Sequence, residues 1–346
     1  MAICYDQADF DRVVGDAIAT SETRSLLVDR YLERAREYDV DALCDGADVH
    51  IGGIVEHIEE AGVHSGDSAG VLPPVLLSGP ERMRIEDYTR QIALGLGVIG
   101  LVNVQFAVQG GEVYVLEVNP RASRTVPFVA KATGVPLAKL ATRLCLGEKL
   151  ADLDIRPKGA DLYFIKAPVF PWQKFAGHDV VLGPEMRSTG EVMGVGWSFG
   201  EAYAKALLAA GMRLPTSGGV FLSIRDSDKA ASVGIAGSLA HLGFKLYATG
   251  GTARYLADKG IEAEPVFKVR EGRPDAVDLI KNDQIQLILN TPLGRKALYD
   301  ERTMRLAGLR EGVACITNVQ AAKAVVSAIR SLRAGELKVI KLQEIV

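Results

Sequence analysis

The strand pattern most constrains what this chain can fold into, because it changes character part-way along. Tyr38–Cys44 alternates apolar and polar residues and ends at Asp45-Gly46, a tight-turn pair, so Val49–Glu56 reads as the returning strand of a hairpin. A second hairpin is expected over 101–108 and 112–118, around Gly110-Gly111. From about residue 218 the texture differs. Strands over 219–224, 243–248, 285–290 and 313–317 alternate with helices over 227–241, 251–259, 274–281 and 319–334. Hairpins specify an antiparallel sheet, whereas strand–helix alternation specifies a parallel, doubly wound one. The expected fold class is therefore α+β followed by α/β, and 346 residues are enough for two cores.

Other elements fill in the first part. Helices are expected over 9–19, 81–96 and 136–147, the last with Pro136 at its start and Gly147 at its end. Ser25–Asp29 reads as a short strand. Residues 148–197 are rich in Gly and Pro and read as an irregular connecting wrap, before a helix over 199–210 stopped by Gly211. The expected domains are 1–147, then the wrap and closing helix 148–211, then 212–346. Composition narrows the function classes. A net charge of −3 without basic clusters argues against nucleic acid or an anionic membrane as partner. No apolar run reaches the roughly 18 residues a membrane span needs. Cys4, Cys44, Cys145 and Cys315 lie far apart with no C-x-x-C pair, which suits a reducing cytoplasm.

The most informative stretch is Asn103–Val108, the Gly-Gly turn, and Val115–Arg124. Glu117 and Asn119 are two apart on a strand and share a face. Buried on an apolar strand, a carboxylate and an amide oxygen are costly unless something binds them. Hard oxygen ligands beside arginines suit Mg²⁺ bridging nucleotide phosphates, and Arg121 and Arg124 are spaced to clamp an anion. The cluster Glu56, His57, Glu59, Glu60, His64 and Asp67 lacks the H-E-x-x-H zinc spacing, and reads as solvated or structural side chains in a loop. In the second part, Phe244–Thr252 ends a strand at Thr-Gly-Gly-Thr and opens a helix, offering backbone N–H groups and the Thr249 and Thr252 hydroxyls to an anion. A second strand end, Asn290-Thr291, lies where ligands gather in open α/β sheets.

These segments resemble a known family. Asn103–Val108 with Leu116–Arg124 resembles the metal and phosphate hairpin of ATP-grasp ligases. The strings GGIVEHIEEAGVHSGDSA (52–69), EVNPRASRTVPFVAKATGVPLAK (117–139) and LGPEMRSTGEVMGVG (182–196) resemble the C-terminal part of the carbamoyl phosphate synthetase large subunit. The resemblance implies a partial ATP-grasp domain followed by a methylglyoxal-synthase-like allosteric domain. It implies ATP with Mg²⁺ or Mn²⁺, the metal on Gln105, Glu117 and Asn119. Arg121 and Arg124, with Asn119, would serve catalysis at the phosphoryl or carbamate end. Arg30 and Leu32 would lie at the adenine hinge, Glu37 on the ribose, and Gly62, Val63, His64 and Ser65 along the nucleotide pocket. Arg30 stands where the family has histidine. The implied reaction is phosphorylation of carbamate to carbamoyl phosphate for pyrimidine and arginine biosynthesis. The implied partners are the rest of the large subunit and the glutaminase subunit.

Met1–Phe10 resembles the segment after the family's Gly-rich loop, and no such loop precedes Ser25, so the chain is expected to be inactive alone. In the second domain the resemblance implies a nucleotide monophosphate on Lys229, Thr249, Thr252, Lys268, Asn290 and Thr291, with Pro292 replacing a hydroxyl residue. Glu59 and Asp67 match two acids of an ornithine site, whereas Ala167 replaces a third and Cys315 a tyrosine, so ornithine is expected to bind weakly. The alternatives are another ATP-grasp ligase, against which 182–196 and the second domain both count, and a stand-alone phosphate-binding regulatory module. One geometric condition follows. A strict two-residue turn at Gly110-Gly111 pairs Val104 with Glu117, so a metal shared by Gln105 and Glu117 requires a longer loop or a β-bulge.

Overall fold

Both hairpins form and are extended into one antiparallel sheet. The computed structural model describes residues 3–4, 6–20, 25–157, 161–172, 177–269, 271–292, 294–335 and 337–345. Parts of the expected segments Met1–Phe10, 148–197 and 212–346 thus lie outside the described residues. The first sheet comprises β1 (Arg36–Asp45), β2 (Val49–His57), β3 (Gly70–Leu72), β4 (Ile99–Gln109), β5 (Glu112–Asn119), β6 (Tyr163–Val169) and β7 (Gly190–Gly196), in the order β5-β4-β1-β2-β3-β6-β7. Helix α1 (Gln7–Thr20) precedes it and buries none of its described side chains.

The two faces of this sheet are finished differently. Helix α2 (Gly79–Gly95) starts at a Ser78–Glu81 capping box and covers one face. There Ile85 and Ala93 pack on Tyr38, Val40, Ala42, Val102, Val104 and Phe106. Helices α3 (Thr125–Thr133) and α4 (Leu137–Cys145) cover part of the other, where Val129, Leu137 and Leu140 meet Leu43, Val55 and Leu101. Further along β1 the same face presents Glu37, Asp39 and Asp41, because alternate residues share a side. Those acids lie outside the apolar cluster.

The parallel sheet comprises β8 (Gly219–Ile224), β9 (Lys245–Thr249), β10 (Glu264–Val266), β11 (Leu287–Thr291) and β12 (Ala314–Ile316), in the order β10-β9-β8-β11-β12. Its helices are α6 (Lys229–His241), α7 (Gly250–Ala257), α8 (Ala276–Lys281), α9 (Gly294–Arg310) and α10 (Val319–Ala334), with the short α11 (Leu342–Ile345) beyond. Strand order reverses between β8 and β11, the place where open parallel sheets bind ligands.

Two expectations need correction. Ser25–Asp29 is not a strand: among the described residues no strand pairs with it, and its residues are exposed. Residues 148–197 are not all irregular, because β6 and β7 close the sheet's far edge. Lys166, Pro168 and three glycines in those strands hid them, since such residues are poor strand formers. Gly194 is there for packing. A Cβ on it would lie 2.2 Å from the Ala202 carbonyl oxygen and 2.5 Å from the Ala206 nitrogen of α5 (Phe199–Ala209). Helix α9 and strand β10 were also not expected. The expected boundary at 211/212 is no gap in packing, for one core joins Ile165 of β6, Ala202 and Ala206 of α5, Leu222 of β8 and Val325 of α10.

Candidate functional site

Of the two arrangements that would let Gln105 and Glu117 share a face, a longer loop or a β-bulge, the hairpin has the bulge. Gln109 pairs with Glu112 across the two-residue turn, Phe106 pairs with Val115, and then the register shifts so that Gln105 pairs with Glu117 and Asn103 with Asn119. Leu116 is the extra residue. Gln105 and Glu117 therefore sit side by side on one face, with Asn103 and Asn119 next along it. On the neighbouring strand Asp39 pairs with Gln105 and Asp41 with Asn103, which continues the polar surface across three strands. One premise fails, however. Glu117 is exposed rather than buried, because β5 is the edge strand of the sheet.

The loop after β2 folds over this face. Ser65 holds it twice: its hydroxyl accepts from Gln105 Nε2 at 3.2 Å, and its carbonyl accepts from Lys166 Nζ at 2.8 Å. The Gly66 amide donates to His64 Nδ1 at 3.0 Å, which leaves the proton of a neutral His64 on Nε2. Glu37 Oε1 accepts from the Gly62 amide at 3.1 Å. Leu32 packs with Ala35, Ala61 and Ala107 beside it, and Val63 is half-buried. Arg30 is exposed. Arg121 donates to Asn119 Oδ1 at 3.2 Å, and Arg124 lies against the Met186 sulfur, both guanidinium groups being exposed.

Beneath the loop is a charged cluster that the sequence reading missed. His57 is buried with Nδ1 3.2 Å from Glu37 and Nε2 3.0 Å from Asp39. Burial alone would lower its pKa, but the Asp39 and Glu37 carboxylates outweigh it and raise the value to about 9. Asp39 is likewise buried, a change that on its own would raise its pKa, and the adjacent His57 holds it below the usual range. Among the described residues Asp39 Oδ1 has no hydrogen-bond partner. Asp41 accepts from Ser123 at 2.6 Å, Thr125 at 2.5 Å and Asn103 at 3.0 Å. Burial nevertheless raises it to about 6. A signal was available: Glu37, Asp39 and Asp41 alternate within an otherwise apolar strand, so all three acids had to face one side. The neighbouring acids are structural rather than solvated. Glu56 accepts from the Val75 and Leu76 amides, Glu59 from Ser68 and Ala69, and Asp67 from the Arg187 and Ser188 amides. Glu59, Asp67 and Cys315 line a cavity of about 550 Å³ at the junction with the parallel sheet.

Among the described residues no group of three or more His, Cys, Asp and Glu is disposed to hold a metal. One carboxylate with neighbouring amide oxygens fits Mg²⁺ where phosphate oxygens complete the shell, and does not make a self-sufficient cage.

In the parallel sheet the expected anion residues converge at the ends of β8, β9 and β11. Thr249 donates to Thr252 at 3.1 Å, and the Thr252 hydroxyl also accepts from the Ile224 amide at 3.2 Å and donates to the Ile224 carbonyl at 3.5 Å. Thr291 accepts from the Arg225 amide at 3.0 Å. Lys229 pairs with Asp226 at 2.7 Å and overhangs Gly251. Lys229 first, and Lys268 more weakly, hold the Asp226 carboxyl below its usual range. Asn290 is fully buried, its amide donating to Glu301 at 2.6 Å and its oxygen accepting from Arg305 at 2.7 Å, so it braces the pocket floor.

Comparison with known proteins agrees with this two-part layout. The family model for the carbamoyl-phosphate synthase L chain, ATP binding domain, matches residues 1–153, and the MGS-like domain model matches 231–317. The carbamoyl phosphate synthase large chain, C-terminal section, of Aquifex aeolicus is 45% identical over 367 residues, covering all of this chain and 68% of that protein. The chain belongs to the carbamoyl phosphate synthase large-chain family. Carbamoyl phosphate synthase large chains of Acidobacterium capsulatum and Archaeoglobus fulgidus are 54% and 50% identical over 99% of the chain. The chain spans 32% of the length of each of these two. It thus combines an ATP-binding domain with an MGS-like domain. A biotin carboxylase domain from Hydrogenobacter thermophilus, solved with MgADP and bicarbonate, overlaps 60% of this chain and 53% of that chain at 20% identity and a TM-score of 0.47. Among the described residues no helix is long and apolar enough to cross a membrane.

Proposed function

We propose that the first sheet carries an ATP–metal site at which carbamate is phosphorylated to carbamoyl phosphate. We further propose that the crevice of the parallel sheet is a regulatory site for a nucleoside monophosphate. The observation that carries the first reading is the Leu116 bulge, which turns Gln105, Glu117 and Asn119 to one face beside the Gly62–Ser65 loop. Those three residues would hold the divalent ion, Mg²⁺ or Mn²⁺. When bound, that ion would offset the charge of the nucleotide phosphates.

The chain's own residues bind and orient. Glu37 is fixed by the Gly62 amide and His57, so it presents a pre-set acceptor to the ribose hydroxyls. Ser65 and His64 line the nucleotide, held by Gln105, Lys166 and Gly66. Arg121 and Arg124 are exposed and have few internal partners to give up when an anionic acceptor arrives. The exposure of Glu117, Arg121 and Arg124 is consistent with a site completed by the remainder of a large chain, and we propose a glutaminase subunit as nitrogen source in the cytoplasm.

Calorimetry of the chain with ATP, with and without Mg²⁺, tests this reading. Mg²⁺ should tighten ATP binding, and Glu117→Ala should weaken the Mg²⁺-loaded complex by about tenfold while leaving metal-free binding unchanged. Glu117 is exposed, so the variant should fold normally. An undiminished Mg²⁺ effect in Glu117→Ala, or no ATP binding at all, would count against the site.

A further inference from the structure

We propose that a separate cavity between strand β2 and helix α10 binds a small monocarboxylate whose apolar body is about the size of a phenyl ring. The cavity has a volume of about 190 Å³. An apolar cavity of about 150 Å³ is enough to hold benzene, so this one has room for a ring and a short stem. Its walls are Ala35, Ile58, Val71, Leu76, Phe199 and Ala324. Ala35, Ile58, Val71 and Ala324 are buried, and Phe199 is stacked on Tyr203 with ring centroids 5.8 Å apart. Val75 and Leu76 also line the cavity but are 48% and 55% exposed, so they stand at its opening. Apolar side chains facing water around a concave site are surface that an apolar ligand would cover. Gln105, Glu117, Ser65, Lys229 and Thr249 do not line it, so the site is independent of the function proposed above.

The polar groups around the cavity set the charge of the ligand. Most of them already have partners. Glu56 accepts from the Val75 and Leu76 amides at 2.6 and 2.8 Å, and Glu59 from Ser68 and Ala69 at 2.7 Å each. Glu60 faces Arg225 at 3.6 Å. Arg36 is bound to Glu81 at 2.7 Å and to the Leu76 carbonyl. Arg34 donates to the Ser227 carbonyl at 2.7 Å and lies 3.5 Å from Asp228. His57 sits between Glu37 and Asp39.

Lys323 differs. It is exposed, its ammonium group donates to Gln320 Oε1 at a long 3.5 Å, and among the described residues it pairs with no carboxylate. Gln320, Lys323 and Ala324 are three and four residues apart on α10 and therefore share a face. That face brings an ammonium and an amide donor to the edge of the wall that Ala324 forms, one donor for each oxygen of a carboxylate. A single ammonium without a counter-ion offsets one negative charge. Glu56, Glu59 and Glu60 oppose a dianion such as phosphate, and Lys323 opposes an amine.

Calorimetry of the whole chain with phenylacetate, 2-phenylethanol and 2-phenylethylamine tests both the cavity and the charge, because the three share one apolar body. Phenylacetate should bind with a Kd of about 0.1–1 mM. The alcohol should bind at least about fivefold more weakly, and the amine more weakly still. Lys323→Gln should reduce phenylacetate to the affinity of the alcohol, and Ala324→Leu should abolish its binding by filling the cavity. Neither residue lines the larger cavity that holds Glu59, Asp67 and Cys315, so losses in these variants locate the ligand. Lys323 is exposed, so Lys323→Gln keeps the test decisive if Ala324→Leu folds poorly. Three results would each overturn the proposal: no phenylacetate binding at about 10 mM, an alcohol or amine that binds as tightly as the acid, or phenylacetate affinity unchanged in Lys323→Gln.

Discussion

Replacing His57 with glutamine should remove a loss of stability that the unaltered chain shows as pH rises towards about 10. The imidazole lies between two buried carboxylates at 3.0 and 3.2 Å, and its side chain is 2% exposed, so solvent screens the interaction little. Its pKa rises from an ordinary 6.5 to about 9. A proton held more tightly when folded stabilises the fold fully below about 6.5, and that stability is lost as pH rises through about 9. The rise corresponds to about 3 kcal/mol, comparable with the about 3–5 kcal/mol for removing one partner of a buried ion pair. Urea unfolding at several pH values between about 6 and 10 should therefore show the gap between the unaltered chain and His57→Gln shrinking by about 3 kcal/mol towards the alkaline end. NMR supplies an independent reading, because with five histidines the resonance missing in His57→Gln identifies itself. A gap that does not vary with pH, or a His57 resonance titrating near 6.5, would refute the assignment of a charged His57.

Packing between the two sheets can be probed at Gly200, where a Cβ would lie 2.5 Å from the Ser327 carbonyl oxygen and 2.6 Å from Ser331 Oγ on α10. Gly200→Ala should lower the urea midpoint through an overpacking cost of about 1–3 kcal/mol, whereas Gly234→Ala, with nothing within 4 Å, should raise it; an unchanged Gly200→Ala midpoint would disprove the contact. In the anion pocket, Asp226→Asn removes the acid that Lys229 now pairs with, and calorimetry with inorganic phosphate should show about two- to fivefold tighter binding at low salt. Equal or weaker phosphate binding would mean that Asp226 does not compete for that lysine.

How much was legible in the sequence depended on how local each cause is. The hairpins and the strand–helix alternation are set by spacing within a few residues, and they appear within about two residues of expectation. The irregularity in the second hairpin was legible only as a condition, a longer loop or a bulge if Gln105 and Glu117 share a face, and the choice of a bulge at Leu116 was not. Strands β6 and β7 were not legible. Gly194 reads locally as a strand breaker, and only the arrival of α5 explains it. The charges around the loop divide the same way. Alternation alone puts Glu37, Asp39 and Asp41 on one face, but nothing near His57 in the chain says that it will sit between two of them. Its partners are 18 and 20 residues away, brought together by β1 and β2 pairing. The same holds for Arg305, whose burial depends on Asp179 some 126 residues earlier. Charged side chains at such positions read as surface until a fold supplies their counter-ions.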